Sequence, residues 1–397
     1  MMTPDEISYL ESPGGAAAVK DNLGRNPFTI ALDKKVEQAR LIASQVKYLG
    51  RARTKIPSYY QSLCIIPPVA FEQSSGEQAA SMKRYAGRLC IDLTCGLGVD
   101  SLNFSRHFDK VMAVEKDGPL CRIAEINFGR LGAKNIEVIN STAEDLIRDI
   151  KEKSLKADLL YADPDRRPGS GSRRVKLEDS TPDMVTMMPE LKAIARTVLV
   201  KASPLFDVGE AFRIFPECGV SVVSVEGECK EVLIECGGNN AGKISAAIAG
   251  WGEVSYPYPL PPHRSTGFAP PYSRMIIPDV ALRKARIGSR YFSELFPSAY
   301  VPADGYVFLN GADLRNGETA AVKIPGKVFE VVALYPYRPK ELKADLAARD
   351  IKSADIYLHD FPLPVEKICR ELKLKEGGTA KFAFTRIEGE LWSIELK

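Results

Sequence analysis

Between Leu89 and Lys201 the chain repeats one pattern, in which short apolar runs alternate with stretches of helical spacing. The runs are Leu89–Leu93, Val111–Glu115, Ile136–Ile139, Ala157–Ala162 and Thr197–Lys201, with helical stretches such as Leu120–Leu131 and Pro182–Ala195 between them. Regular alternation of this kind predicts an α/β fold, a parallel sheet covered by helices on both faces. Two further β-like runs, Val220–Glu226 and Glu231–Cys236, are joined only by Gly227–Lys230. They predict a hairpin that closes the sheet at seven strands and makes one edge strand antiparallel.

The flanks differ from this middle. Leu32, Val36, Ala39, Ile42, Ala43, Val46 and Leu49 recur at helical spacing, so residues 1–60 are expected to form a helical segment ahead of a sheet domain at 61–255. Seven prolines crowd 257–278, the composition of an extended linker, placed here at 256–278. Beyond it, 279–325 and 326–397 are expected as two small α+β domains. The last reads strand (Lys327–Leu334), helix (Lys340–Arg349), strand (Ala354–His359), helix (Pro364–Leu372) and two strands, Thr379–Thr385 and Leu391–Leu396.

Lys plus Arg number 54 and Asp plus Glu 51, so bulk charge does not announce a nucleic-acid binder and an anionic partner would need a local patch. The eight cysteines form no CxxC pair and sit mostly in apolar runs, and only three histidines are present. Reduced core thiols are expected, and no metal site. No stretch reaches the length of a membrane span, so a cytoplasmic protein with no membrane partner is expected.

The sharpest motif is Cys90-Ile91-Asp92-Leu93-Thr94-Cys95-Gly96-Leu97-Gly98-Val99-Asp100-Ser101. It reads as strand, glycine turn and helix, with Glu115 ending the second strand. Glycines let a ligand approach the backbone, and an acid at the tip of strand two can accept both ribose hydroxyl protons, which implies a nucleoside cofactor. An acid at Asp92 would repel a pyrophosphate but suits a cationic head. S-adenosylmethionine has such a head and NAD does not.

With these features the sequence resembles the class I S-adenosylmethionine-dependent methyltransferases, whose fold is a Rossmann-like seven-stranded sheet. The resemblance implies a cofactor cradle of Asp92, Thr94, Gly96 and Gly98, with Glu115 at the ribose, Glu144 or Asp145 at the adenine, and Lys116 also among the cofactor-binding residues. Asp163-Pro164-Asp165 stands where amino-methylating members carry Asp/Asn-Pro-Pro and an aromatic residue. It implies catalytic roles for Asp163, Pro164 and Asp165, with Asp163 also beside the cofactor and Arg166 and Arg167 positioning the substrate. Accepting the N–H bonds of an amine localises its lone pair for in-line attack on the methyl group. Arg173, Arg174 and Lys176 follow in a Gly-Ser loop suited to a phosphate-bearing substrate. Phe71-Glu72-Gln73-Ser74 matches a segment close to the methionine end of the cofactor, which adds Gln73.

The Glu-Gln-Ser segment, the glycine turn, Asp-Pro-Asp-Arg-Arg and the C-terminal unit together resemble a bacterial group of methyltransferases with a C-terminal THUMP-like, ferredoxin-like domain. The resemblance implies an RNA substrate. From Arg338 to Lys397 twelve basic residues face eleven acidic ones, so composition adds no strongly basic face there. No Pro-Cys or Ser-Cys pair follows strand four or five, which disfavours a covalent cysteine mechanism of the kind used at pyrimidine C5. An NAD-linked oxidoreductase, a protein or small-molecule methyltransferase and a non-catalytic RNA-binding module are the rival readings.

Overall fold

The computed structural model describes residues 2–166, 177, 178, 180–261, 265–311 and 323–397. The chain divides into two compact units, 1–243 without the hairpin tip 226–228, and 244–397 with that tip.

In the first unit the apolar runs become β1 (Gly87–Asp92), β2 (Phe108–Glu115), β3 (Ile136–Asn140), β4 (Ala157–Ala162), β5 (Ala195–Ala202), β6 (Gly219–Val225) and β7 (Glu228–Gly237). They lie in the order β6-β7-β5-β4-β1-β2-β3 within a sheet of nine strands, two more than the seven expected. The strands β3, β2, β1, β4 and β5 are mutually parallel. The hairpin turns on Glu226 and Gly227, both at positive φ, the conformation of a tight primed turn that suits the twist of paired strands. Its second strand, β7, pairs antiparallel with β5 and so lies between β5 and β6 rather than at an edge.

The strand order places the loops after β1 and β4 side by side, because β1 pairs in register with both β2 and β4 (Asp92 opposite Ala113 and Tyr161). Chain direction reverses its course across the sheet there, and such a switch point is where open α/β sheets hold their ligands.

The helical segment expected as a separate preface shares the sheet's core. Its expected single helix is two, Pro27–Ala31 and Ala39–Lys55, interrupted where Asp33-Lys34-Lys35 breaks the apolar period and Gln38 takes a left-handed conformation. Ile42, Val46, Leu49 and Tyr59 pack into one apolar cluster with Leu97, Ala113 and Phe128. Polar contacts fix the junction. The buried Asn127 side chain accepts from the Ile65 N–H (2.7 Å) and donates to the Ile65 carbonyl (2.8 Å), and the Tyr59 hydroxyl donates to the Leu97 carbonyl (3.0 Å).

The second unit begins with β8 (Lys243–Ile248) and β9 (Gly252–Pro257). It then forms a seven-stranded sheet from β10 (Arg274–Pro278), β11 (Val307–Leu309), β12 (Gly326–Pro336), β13 (Ser353–His359), β14 (Lys375–Glu376), β15 (Ala380–Ile387) and β16 (Glu390–Leu396). Their order is β11-β10-β12-β16-β15-β13-β14. The expected linker thus contains a strand. Met275 and Ile276 are fully buried, and β10 is bonded antiparallel to β11 on one side and β12 on the other. This strand ties 279–325 and 326–397 into one sheet where two small domains were expected. The reason is that three apolar residues, Met275-Ile276-Ile277, suffice for a central strand, while the surrounding prolines dominate the local composition.

Asn127→Ala would leave the Ile65 N–H and carbonyl buried and unpaired. Urea unfolding should show a loss of about 2–4 kcal/mol, far beyond that of a surface Asn→Ala control.

Candidate functional site

The loop from β1 into the helix Val99–Ser105 is built on two left-handed glycines, Gly96 (φ 55°) and Gly98 (φ 86°). A Cβ at Gly98 would stand 2.4 Å from Phe128 Cζ, whereas one at Gly96 would meet no protein atom closer than 4.0 Å. Gly98 is therefore required by packing, and Gly96 leaves open space at the turn. The Gly96 N–H donates to Glu115 Oε2 (2.9 Å), and the Asp117 N–H donates to Oε1 (2.9 Å). Glu115 thus stands at the tip of β2 against the glycine turn, with each carboxylate oxygen accepting one backbone N–H. This open backbone beside a strand-end carboxylate fits a nucleoside cofactor.

Asp92 is 1% exposed, and both its oxygens are used inside the turn. Oδ1 accepts from the Thr94 N–H (3.0 Å) and Oδ2 from the Ser101 hydroxyl (2.5 Å). Burial pushes its carboxyl up to about 7 against the opposing effect of these bonds. Asp92 was expected to face a cationic head; its contacts instead brace the turn.

The loop after β4 is fastened to the same turn. The Asp163 N–H donates to Thr94 Oγ1 (2.7 Å), and Lys201, at the end of β5, places Nζ 2.5 Å from Asp163 Oδ2. Asp165 and Arg166 pair antiparallel with Thr181 and Ser180, and Lys116 lies 3.7 Å from the exposed Asp165 carboxylate. Pro164 is half-buried between them. Arg167, Arg173, Arg174 and Lys176 lie outside the described residues.

Three expected cofactor residues stand apart from these groups. Gln73 is exposed at the end of the helix Pro68–Gln73, whereas Phe71 within that helix and Ser75 just beyond it are buried. Glu144 is exposed. Asp145 is bound to its own helix start, accepting from the Thr142 hydroxyl (2.7 Å), and pairs with Arg148 (3.2 Å). An adenine contact at either acid has no support from these bonds.

Sequence reasoning missed a buried charge cluster behind Asp163. Lys201 Nζ donates to Ser75 Oγ (3.0 Å), and the Ser75 hydroxyl donates to Asp100 Oδ2 (2.7 Å). The Tyr161 hydroxyl donates to the same oxygen (2.9 Å). Asp100 Oδ1 pairs with Lys83 Nζ (2.9 Å), which also pairs with Glu231 Oε1 (2.5 Å), and the Lys83 side chain is fully buried. Burial alone would raise the Asp100 carboxyl, but Lys83, Lys201 and the bonds from Lys83 and Ser75 bring it down to about 2. Burial also opposes the charge on Lys201, yet Asp163, Asp100 and Glu231 together keep it firmly protonated. The available sequence signal was an acid placed within segments that are otherwise apolar, Asp100 after the glycine turn and Glu231 opening Val232-Leu233-Ile234.

A separate hollow of about 640 Å³, lined by Arg88, Asp158 and Lys192 among others, lies at the opposite ends of β1 and β4. It touches none of these groups.

Residues 87–172, a range that takes in β1–β4, match the family model described as RNA cap guanine-N2 methyltransferase. Residues 326–397 match the model described as THUMP domain-like. The chain joins a methyltransferase domain to a THUMP-like domain. A crystal structure of a candidate methyltransferase from Porphyromonas gingivalis W83 shares the fold over 100% of this chain and 99% of that one, with a TM-score of 0.76 at 22% identity. The tRNA/tmRNA (uracil-C(5))-methyltransferase of Aliivibrio salmonicida (strain LFI1238) is 24% identical over 224 residues, which are 48% of this chain and 59% of the relative. That of Escherichia coli (strain K12 / DH10B) is 27% identical over 154 residues, 33% of this chain and 40% of the relative. The chain thus spans about half the length of the curated relatives it matches. Among the described residues no helix is long and apolar enough to cross a membrane.

A carboxyl pushed up by folding contributes stability in its protonated form, fully present below its unfolded pKa near 4 and lost as pH rises through about 7. Asp92→Asn keeps an acceptor for the Thr94 N–H but cannot ionise. The difference in unfolding free energy between the natural protein and this variant should therefore fall from pH 4 to 7 and level off above it. Denaturant titrations across that range measure the slope.

Proposed function

We propose that this chain transfers a methyl group from S-adenosylmethionine to a nitrogen of an RNA base by direct in-line attack. The observation that carries the reading is the 2.7 Å bond from the Asp163 N–H to Thr94 Oγ1, which locks the acceptor-side loop to the cofactor-side turn. A carboxylate, an open glycine backbone and the Glu115 acid thereby stand along one edge of the sheet.

Gly96 and Glu115 would hold the nucleoside, with the space over Gly96 taking the backbone approach and Glu115 accepting from the ribose hydroxyls. When bound, S-adenosylmethionine would supply an activated methyl group on a sulfonium for attack by the acceptor's lone pair, with a neutral thioether as the leaving group. Asp163 would accept the acceptor's N–H, localise its lone pair and pass the released proton to water. Its Oδ1 has no partner among the described residues, while Oδ2 is held by Lys201.

Nitrogen is favoured over carbon by the thiols. Uracil C5 methylation, the reaction in the names of the curated relatives, would need a nucleophile to attack the ring. Of the eight free cysteines seven are buried, and Cys95, the one within the glycine turn, has its thiol driven well above the ordinary range by burial. The match to a guanine-N2 family model over β1–β4 supports an exocyclic amine. The THUMP-like match supports RNA as the bearer of the base, and Arg166, Arg167, Arg173 and Arg174 are proposed to meet its phosphates.

Incubation with methyl-labelled cofactor and total cellular RNA, followed by nucleoside analysis, tests the whole reading: label in a methylated guanine or adenine amine is expected. Label at uracil C5, or only in protein, would overturn the acceptor. Glu115→Ala should weaken S-adenosylhomocysteine binding by at least about tenfold in calorimetry, since two charge-assisted hydrogen bonds are lost. Asp163→Asn should abolish turnover and leave that affinity within about threefold, because its side chain serves the acceptor.

A further inference from the structure

Asp163 meets a lysine that the methyl-transfer chemistry itself does not require. An isolated carboxylate in an enclosed site drifts towards its neutral acid, which carries a proton on one oxygen and no longer accepts at both. The Lys201 ammonium, 2.5 Å from Oδ2, opposes that drift. Lys201 is in turn fixed from behind. The only proton of Ser75 Oγ points to Asp100, so its lone pairs face the Lys201 ammonium at 3.0 Å. Asp100 cannot turn away, because Tyr161 donates to it and Lys83 pairs with it, and Lys83 is anchored on Glu231.

We propose that Lys201 is a positioning residue for the methyl acceptor. Resting on the reading of Asp163 given above, it holds that carboxylate ionised with Oδ2 occupied and Oδ1 presented to the acceptor N–H. Ser75, Asp100, Lys83 and Glu231 form the chain of contacts that holds Lys201. The arrangement joins five segments: the loop before β1, the helix after it, and β4, β5 and β7. Its charges are unequal, with the three acids Asp163, Asp100 and Glu231 against Lys201 and Lys83. Loss of either lysine therefore leaves a surplus of buried negative charge, and Asp163, at the open end of the chain, is where a proton can most easily enter. The titratable groups that act on Asp163 are Lys201 on β5, Asp100 and Lys83 behind it, Asp92 at the end of β1 and Tyr161 on β4, while Glu231 on β7 acts on Lys83, Lys201 and Asp100.

The test uses the full chain labelled with 13C at aspartate carboxyls, with the Asp163 signal assigned through Asp163→Asn. In Lys201→Met the Asp163 titration should move up by about one pH unit or more, while Lys201→Arg, which keeps the charge, should move it little. In Ser75→Ala, which removes an acceptor from Lys201 but no charge, the shift should be smaller and in the same direction. With RNA as substrate, the acidic limb of the kcat profile should rise by the same amount in Lys201→Met, so that turnover lost at pH 6 is partly regained at pH 9. S-adenosylhomocysteine affinity within about threefold of the natural protein would show each variant folded. An unmoved Asp163 titration in a folded Lys201→Met or Ser75→Ala protein would overturn the proposal. So would a kcat lowered equally at every pH and equally by Met and Arg. Should the natural protein methylate no RNA, the proposed function fails, while the carboxyl titration still decides the role of Lys201.

Discussion

The Asp100 carboxylate is the point on which the site depends. Two hydroxyls donate to it and one ammonium pairs with it, and these come from the loop before β1, from β4 and from the buried Lys83. Bringing a carboxylate and a lysine out of water costs several kcal/mol per ion, and that cost is offset only when nearly every remaining lone pair and proton has a partner. The same requirement that makes the cluster expensive makes its geometry nearly unique. A shift of the loop carrying Ser75 or of β4 would leave an unpaired charge, so the elements that flank the cofactor turn are held in register by electrostatics as well as by backbone bonds.

The glycine turn solves a complementary problem. Gly98 must be bare because Phe128 packs where its Cβ would be, and Gly96 is bare where no protein atom is near. One glycine serves the core and the other serves the opening. Asp92 and Thr94 then act as a pair: Asp92 fixes the Thr94 backbone, and Thr94 uses its hydroxyl to capture Asp163. The Thr94 side chain thus extends the pairing of β1 and β4 into the loops that follow them.

Much of this was legible in the chain. The parallel strands of the first sheet and most of the C-terminal ones follow from apolar runs and turn residues, and the places of Glu115 and Asp163 at the ends of β2 and β4 were readable because strand-end positions are fixed by topology. Asp145 was readable only as an acid near a helix start, and its bond to Thr142 shows the capping role that such acids commonly take. Lys83, Asp100, Lys201 and Glu231 were not legible, since their meaning lies in pairs whose members are far apart in sequence. The strand Arg274–Pro278 was hidden for the opposite reason: its own five residues say strand, but the prolines around it outweigh them in any window.

The bonds from Tyr59 to Leu97 and from Asn127 to Ile65 span 38 and 62 residues of chain. The Leu97 carbonyl inside the glycine loop is therefore satisfied by a group from outside the sheet, the Tyr59 hydroxyl, once the segment that carries it has docked. Contacts of such long range carry a loop-closure cost that must be met before they contribute anything, which slows the step that forms them. A chain cut to begin at the sheet would lose the Tyr59 hydroxyl and bare the cluster around Leu97, Ala113 and Phe128 that the helical segment covers. Competence to bind a nucleoside would then arise late in folding, after the sheet itself, with the helical segment as the final piece rather than an appendage.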